Sequence, residues 1–368
     1  MMADELQHKL KQVSECMMSL GTQGQKEKFP VSLLDMNAWE WPQGVGLLGL
    51  MRYYLFSHDE KILSFLTSWF GQHLDRLDRI ERNVNSTCPM LTLTYLAELQ
   101  PKPEYMEAIR SWAEWVMDPR GLIRTGDGCM QHMITGDPNK DQILIDTLFM
   151  TVLFLGRAGK MLNRPDYVAE ANYQILAHIK YLFDEETGLF YHGWSFERMD
   201  HYGKVYWLRG NSWYTVAISD YIADQQDIAP ELKRYFMETF RRQTEALLQA
   251  WDAETGLWHT VIHRPDSYVE ASGSAAVLCG IMKAVRLGFL PYEPYARCVR
   301  EGVKALLALI DGNGAVRQVS YGTPIGMDEQ FYMDIPCFIM TYGQALTILL
   351  LQECLQPYWQ QRLNQPAA

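Results

Sequence analysis

Six apolar stretches rich in small residues recur along the chain, and this recurrence limits the possible fold more than any other feature. They begin near Trp41 (WPQGVGLLGLMRYY), Cys88 (CPMLTLTYLAEL), Asp146 (DTLFMTVLFLGRAG), Gly210 (GNSWYTVAISDYI), Ala271 (ASGSAAVLCGIMKAV) and Pro336 (PCFIMTYGQALTILLL). Each is apolar on nearly every face, as a helix buried on all sides must be. Six amphipathic stretches alternate with them, at 5–20, 59–76, 103–117, 166–183, 230–250 and 292–310. Most of these open on a turn or cap signal, such as Asn163-Arg164-Pro165-Asp166 or Pro291. Strand-like alternation is almost absent, apart from short pieces such as Leu257–Ile262. The pattern predicts an all-α chain of twelve helices, inner and outer in turn, closed as an (α/α)6 barrel in one domain over 1–368. Solenoid or globin-like packing is the alternative.

The links between these helices are unequal, and the inequality locates a site. Inner-to-outer links are short, as from Gly159 to Asp166. Outer-to-inner links are long, at 21–40, 76–87, 118–141, 184–209, 251–270 and 311–335. Long ordered loops in a compact domain usually carry function. All six emerge where inner helices begin, so helix N-termini converge there and favour an anionic ligand. Four links share a turn phrase, starting at Asp118, Asp184, Asp252 and Asp311, which reads as a repeated loop scaffold rather than a metal loop.

Bulk properties narrow the partners. The net charge of −11 leaves no Lys/Arg stripe for nucleic acid. Eleven Trp and twenty Tyr fill cores or stack on sugar rings. The N-terminal segment spaces Leu6, Leu10, Val13 and Met17 at helical intervals without an apolar signal core, and the run Leu346–Leu351 is too short to span a bilayer. Seven scattered cysteines without CxxC pairs fit reduced thiols. A cytoplasmic protein without membrane association is expected, as a monomer or a homodimer. His259 and His263 (HTVIH) lack the Glu of a zincin motif, and neither a metal nor an organic cofactor is expected.

Several residues at the loop-rich end are candidates. Asp146 is a lone carboxylate opening an apolar inner helix; it is either an N-cap or an acid/base whose pKa burial would raise. Trp207, Arg209 and Trp213 cluster at another inner-helix start, where Arg209 either clamps a carboxylate or braces loop carbonyls. His192 follows one of the repeated turns, and His132 lies in a second long link. Trp39-Glu40-Trp41-Pro42-Gln43-Gly44 either lines a pocket or seals the ring, and Asp328 is a further carboxylate that either acts or braces a loop. No Ser-His-Asp order or phosphate-cradling Gly loop is present.

In this order and spacing, WEWPQGVGLLGL, QILIDTLFM, TGLFYHGW, WLRGNSW, EASGSA and GTPIGMDEQFYMDIP resemble glycoside hydrolase family 105, the unsaturated rhamnogalacturonyl hydrolases, and the related unsaturated glucuronyl hydrolases. The resemblance spans nearly the whole chain. It implies the (α/α)6 barrel and, as substrate, a small oligosaccharide ending in a 4,5-unsaturated uronic acid. It also implies hydration of the C4=C5 vinyl ether, with Asp146 as acid/base, His192, Arg209 and Trp213 lining the pocket and Trp207 adjacent; His132 and Trp41 are further substrate-binding candidates from their place at the loop-rich end. Two positions depart from the family pattern. Leu144 stands where members often carry Trp, and NVNSTCP replaces the segment holding a second Asp, so that Asn85 stands in for it. A sugar epimerase using two histidines, and a carbohydrate-binding ring without turnover, are the competing readings on the same fold.

Overall fold

The computed structural model describes residues 3–21, 34–225 and 227–363. Six outer helices are present: α1 (Ala3–Met18), α3 (Glu60–Leu74), α5 (Pro103–Met117), α7 (Pro165–Leu182), α9 (Pro230–Gln249) and α11 (Ala296–Ala308). Six inner helices alternate with them: α2 (Trp41–Ser57), α4 (Val84–Leu99), α6 (Leu153–Met161), α8 (Leu208–Asp224), α10 (Ala271–Arg286) and α13 (Thr341–Cys354). A short helix, α12 (Glu329–Met333), lies in the last long link, and α14 (Pro357–Leu363) follows the ring. The inner helices pack in chain order and α13 returns to α2, while α1 packs on α13 and completes the sixth hairpin. This is the (α/α)6 barrel expected from the sequence.

Local chemistry sets the ends of these helices. Proline opens α5, α7 and α9, where a missing N–H costs nothing. Asp59 caps α3 by accepting from Lys61 N at 2.9 Å. The small residues of the inner helices let their backbones approach: a Cβ on Gly280 of α10 would lie 2.3 Å from the carbonyl oxygen of Thr215 on α8. The end of the ring away from the long links carries a cluster of ion pairs among apolar side chains. There Asp220 pairs with Arg52 at 3.3 Å and with Lys283, and Arg286 holds Glu353 at 2.6 Å.

Four of the long links leave the outer helices through the repeated turn. Asp184 accepts from Glu186 N and Thr187 Oγ1, and Asp252 accepts from Glu254 N and Thr255 Oγ1 in the same way. Most of the link at 21–40 lies outside the described residues. Three expected boundaries shift. The second inner helix starts at Val84 rather than near Cys88, because Asn83 and Ser86 form a reciprocal cap. The last begins at Thr341 rather than near Pro336, because Pro336 and Phe338 hydrogen-bond to the extended segment at 319–321. The third is entered through a π-helical turn, Leu148–Val152. Two small antiparallel pairs lie in the links: β1 (Arg124–Thr125) with β2 (Cys129–Met130), and β3 (Gln142–Leu144) with β4 (Gly193–Ser195). The segment Leu257–Ile262 makes only single bridges, Trp207 to Val261 and His259 to Val269. No helix among the described residues is long and apolar enough to cross a membrane.

Candidate active site

A cavity of about 720 Å³ opens at the loop-rich end of the ring. Its walls come from Trp39, Glu40 and Trp41 at the start of α2, Asn85 in the first turn of α4, and the link from His132 to Leu144. Asp146, Met150 and the loop Tyr321–Ile325 complete it.

Asp146 reaches this cavity because β3 and β4 pair. The register sets Leu144 opposite Gly193, and Ile145 N donates to His192 O at 3.0 Å, which brings His192 against Asp146. The carboxylate does not cap its own helix. Trp213 donates its indole N–H to Oδ1 at 3.1 Å, and His192 Nε2 stands 3.4 Å from Oδ2, a distance that makes an electrostatic contact and not a well-formed hydrogen bond. His192 Nδ1 lies 2.7 Å from the hydroxyl of Tyr332, which accepts from Gly326 N. With the tyrosine O–H given to Nδ1, the imidazole keeps its proton on Nε2, facing Asp146.

This environment reverses one expectation. Burial pushes the Asp146 carboxyl up, but His192, His132 and Arg209 together outweigh it and hold the group below its ordinary value. The carboxyl with a raised pKa is Glu40, which burial lifts to about 7 although Thr135 and the Trp41 amide both donate to it. His132 is pushed down by burial to about 4, and its Nδ1 lies 2.9 Å from Thr147 Oγ1.

The expected site residues divide into two groups. Asp146, His132, Trp41 and Asn85 line the cavity. Trp41 stacks on Tyr342 at 4.6 Å. His192, Trp213, Trp207 and Arg209 lie behind that wall. Trp213 is fully buried, and Trp207 packs on His192 at 4.4 Å. Arg209 is a correction to the carboxylate clamp. Its guanidinium has no exposure and is committed to the last long link, donating to Ser320 O at 3.2 Å, Tyr321 O at 3.2 Å and Thr323 Oγ1 at 2.9 Å. Glu270 sits 3.6 Å from it, and Trp207 and Tyr342 cover its faces. Asp328 caps α12 through Phe331 N and does not line the cavity. Leu144 is a cavity wall.

Thr135, Asp137, Asn139, Gln142, Tyr321 and Thr323 line the cavity without having been expected there. Their membership in the long links was the available signal. Among the described residues, no group of three or more His, Cys, Asp or Glu side chains is placed to hold a metal ion.

The closed ring of helical hairpins thus places a carboxylate, partnered by a tryptophan and a histidine, in a loop-walled cavity. A family model for Glycosyl Hydrolase Family 88 matches residues 11–358, and the chain belongs to that family and is a glycosidase. It is 29% identical over 323 residues to the unsaturated rhamnogalacturonyl hydrolase YesR of Bacillus subtilis, covering 87% of this chain and 90% of that protein. The crystal structure of a possible member of the GH105 family from Salmonella enterica serovar Paratyphi A superposes with a TM-score of 0.91 at 36% identity, over 97% of this chain and 95% of that one. The unsaturated glucuronyl hydrolase of Bacillus sp. GL1 shares the fold, with a TM-score of 0.73 at 18% identity over 97% of each chain.

Proposed function

We propose that this enzyme removes a terminal 4,5-unsaturated uronic acid from oligosaccharides of the rhamnogalacturonan type by hydrating the C4=C5 vinyl ether, with Asp146 as the acid and then the base. The observation that carries the reading is Asp146 itself, a cavity carboxylate fixed by Trp213 on one oxygen and faced by His192 on the other. The substrate class follows the activity named for the Bacillus subtilis relative.

The chemistry needs one carboxyl group in two states. Protonated Asp146 delivers its proton to C4, and the positive charge left at C5 is shared with the ring oxygen. The resulting carboxylate accepts a proton from water as that water bonds to C5. The hemiketal at C5 then opens to a ketone, which leaves the ring oxygen as a hydroxyl on C1; that hemiacetal collapses to an aldehyde and releases the oligosaccharide as an alcohol. The two-carboxylate spacing of ordinary glycosidases does not apply to this route. In the free enzyme Asp146 favours its ionised form, so it must gain a proton as substrate enters; a second negative charge, the uronate's own carboxylate, drives the group that way. Asn85 and His132 offer polar contacts to sugar hydroxyls, Trp41 offers an aromatic face, and Arg209 acts through the loop it braces.

The test follows absorbance of the conjugated C4=C5 uronate in unsaturated disaccharides of the rhamnogalacturonan type. Wild type is expected to bleach the chromophore, and Asp146→Asn to do so at least about a hundredfold more slowly. Equal rates would remove Asp146 from the reaction, and no bleaching by wild type would remove the reaction.

A further inference from the structure

Glu40 caps α2 from inside the cavity wall, with Oε2 accepting from Trp41 N at 3.1 Å and Oε1 accepting from Thr135 Oγ1 at 3.1 Å. Thr135 Oγ1 in turn accepts from Asn83 Nδ2 at 3.0 Å. With Glu40 ionised, every proton in this chain has an acceptor. With Glu40 protonated, the Glu40–Thr135 pair holds two O–H groups and one internal acceptor between them, so one O–H is left without an internal partner beside the cavity that both residues line.

The charges around the cavity favour the protonated form. Its acids are Glu40, Asp137 and Asp146, and no Lys or Arg among the described residues lines it. Glu81, just before α4, faces Glu40 and adds a like charge, while Cys88 of α4 is a neutral buried thiol beside it. His132, on the same wall, carries no charge near neutral pH. Among the described residues the charged side chains lining the cavity are all acidic, so neutralising one of them favours entry of an anionic sugar.

We propose that Glu40 must carry a proton for the unsaturated uronate to bind, and that in this form the Glu40–Thr135 pair donates its spare O–H to the bound sugar. Glu40 is thereby a specificity-determining residue that couples substrate binding to proton uptake. The inference rests on the substrate class proposed above, but it concerns binding and not the chemical step. It places the loss of affinity near pH 7, the point at which burial leaves Glu40 half ionised.

The experiment measures the dissociation constant of an unsaturated rhamnogalacturonan disaccharide by tryptophan fluorescence in the Asp146→Asn protein, where turnover is removed and Asp146 no longer titrates. Trp39 and Trp41 line the cavity and supply the signal. Between pH 6 and 8.5 the dissociation constant is expected to rise about tenfold per unit above pH 7. Adding Glu40→Gln, which keeps an N–H donor and cannot ionise, is expected to flatten that rise whatever its absolute affinity. Adding Thr135→Val instead removes a bond that favours the ionised form, so the rise should move to higher pH. A flat wild-type profile, an unchanged rise with Glu40→Gln, or no binding at any pH would each overturn the proposal. Normal pH-dependent binding with no bleaching by the wild-type enzyme would overturn only the reaction.

Discussion

Trp213 donates its indole N–H to Oδ1 of Asp146 across 3.1 Å, from a ring with no solvent exposure. The ring is held by Phe149 at 4.8 Å and by the edge-on contact with Trp41 at 6.4 Å, so the donor cannot swing away. Trp213, expected from the family resemblance to line the pocket, fixes the carboxylate from behind. Trp213→Phe keeps most of the packing and removes the donor. A hydrogen bond to a charged group contributes about 1.5–3 kcal/mol, so kcat on the unsaturated disaccharide should fall by about ten- to a hundredfold with a smaller change in KM. Steady-state kinetics at pH 6 checks this, and an unchanged kcat would show that the bond does not position Asp146.

Arg209 and Glu270 are both fully buried. Glu270 caps α10 through Gly273 N and accepts from Ser272 Oγ and Ser320 N, while Arg209 binds the loop at Ser320–Thr323. Arg209→Met would leave Glu270 as an uncompensated charge and free the loop that forms one cavity wall. A loss of about 3–5 kcal/mol in unfolding free energy is expected, measured by urea denaturation. A loss below about 1 kcal/mol would mean that the hydrogen bonds from Ser272, Gly273 N and Ser320 N satisfy Glu270 without its partner.

The Glu40 carboxyl predicts the direction of a stability change with pH. Its folded-state pKa of about 7 lies above the ordinary carboxyl value of 4.5, so between these values the folded protein binds a proton that the unfolded chain has released. Stability from this group therefore falls as pH rises from about 4.5 and levels off above about 7. Glu40→Gln removes that dependence. Its melting temperature relative to wild type should increase between pH 5 and pH 8, as followed by circular dichroism, and a constant offset would contradict the raised pKa.

The division between what sequence revealed and what it concealed follows the distance over which each feature is determined. Inner and outer helices are written in local periodicity, so the outer stretch expected at 103–117 is α5, Pro103–Met117, without adjustment. The loop-rich end follows from link lengths and contains the cavity. The site's inner workings depend on contacts across the ring that no local pattern encodes. His192 meets Tyr332, and Arg209 meets Ser320 and Thr323, only after the barrel closes. The protonation of Asp146 was misjudged for the same reason: apolar neighbours in sequence imply burial, whereas the histidines and arginine that counter it come from other links. Glu40 was visible in its motif, but its raised pKa comes from burial in the cavity wall and from Glu81, against the hydrogen bonds that Thr135 and the Trp41 amide donate to it.

Ring closure gives the last prediction. Gln344 of α13 donates to Gly314 O at 2.7 Å and Val13 O at 3.3 Å, joining the last repeated turn and α1 to the final inner helix. Gly314 has a φ of 81°, and a Cβ there would lie 2.2 Å from the carbonyl oxygen of Gln12. Gly288 has a nearly identical φ of 78° with nothing within 4 Å of the Cβ position. The left-handed backbone alone costs an alanine about 1–2 kcal/mol, so Gly288→Ala measures that conformational term. Gly314→Ala must also push α1 away from the turn, and its loss should exceed that of Gly288→Ala by at least about 1–2 kcal/mol. Urea denaturation of both variants separates the terms. Equal losses would mean that the contact between α1 and the turn yields freely and contributes little to holding the ring closed.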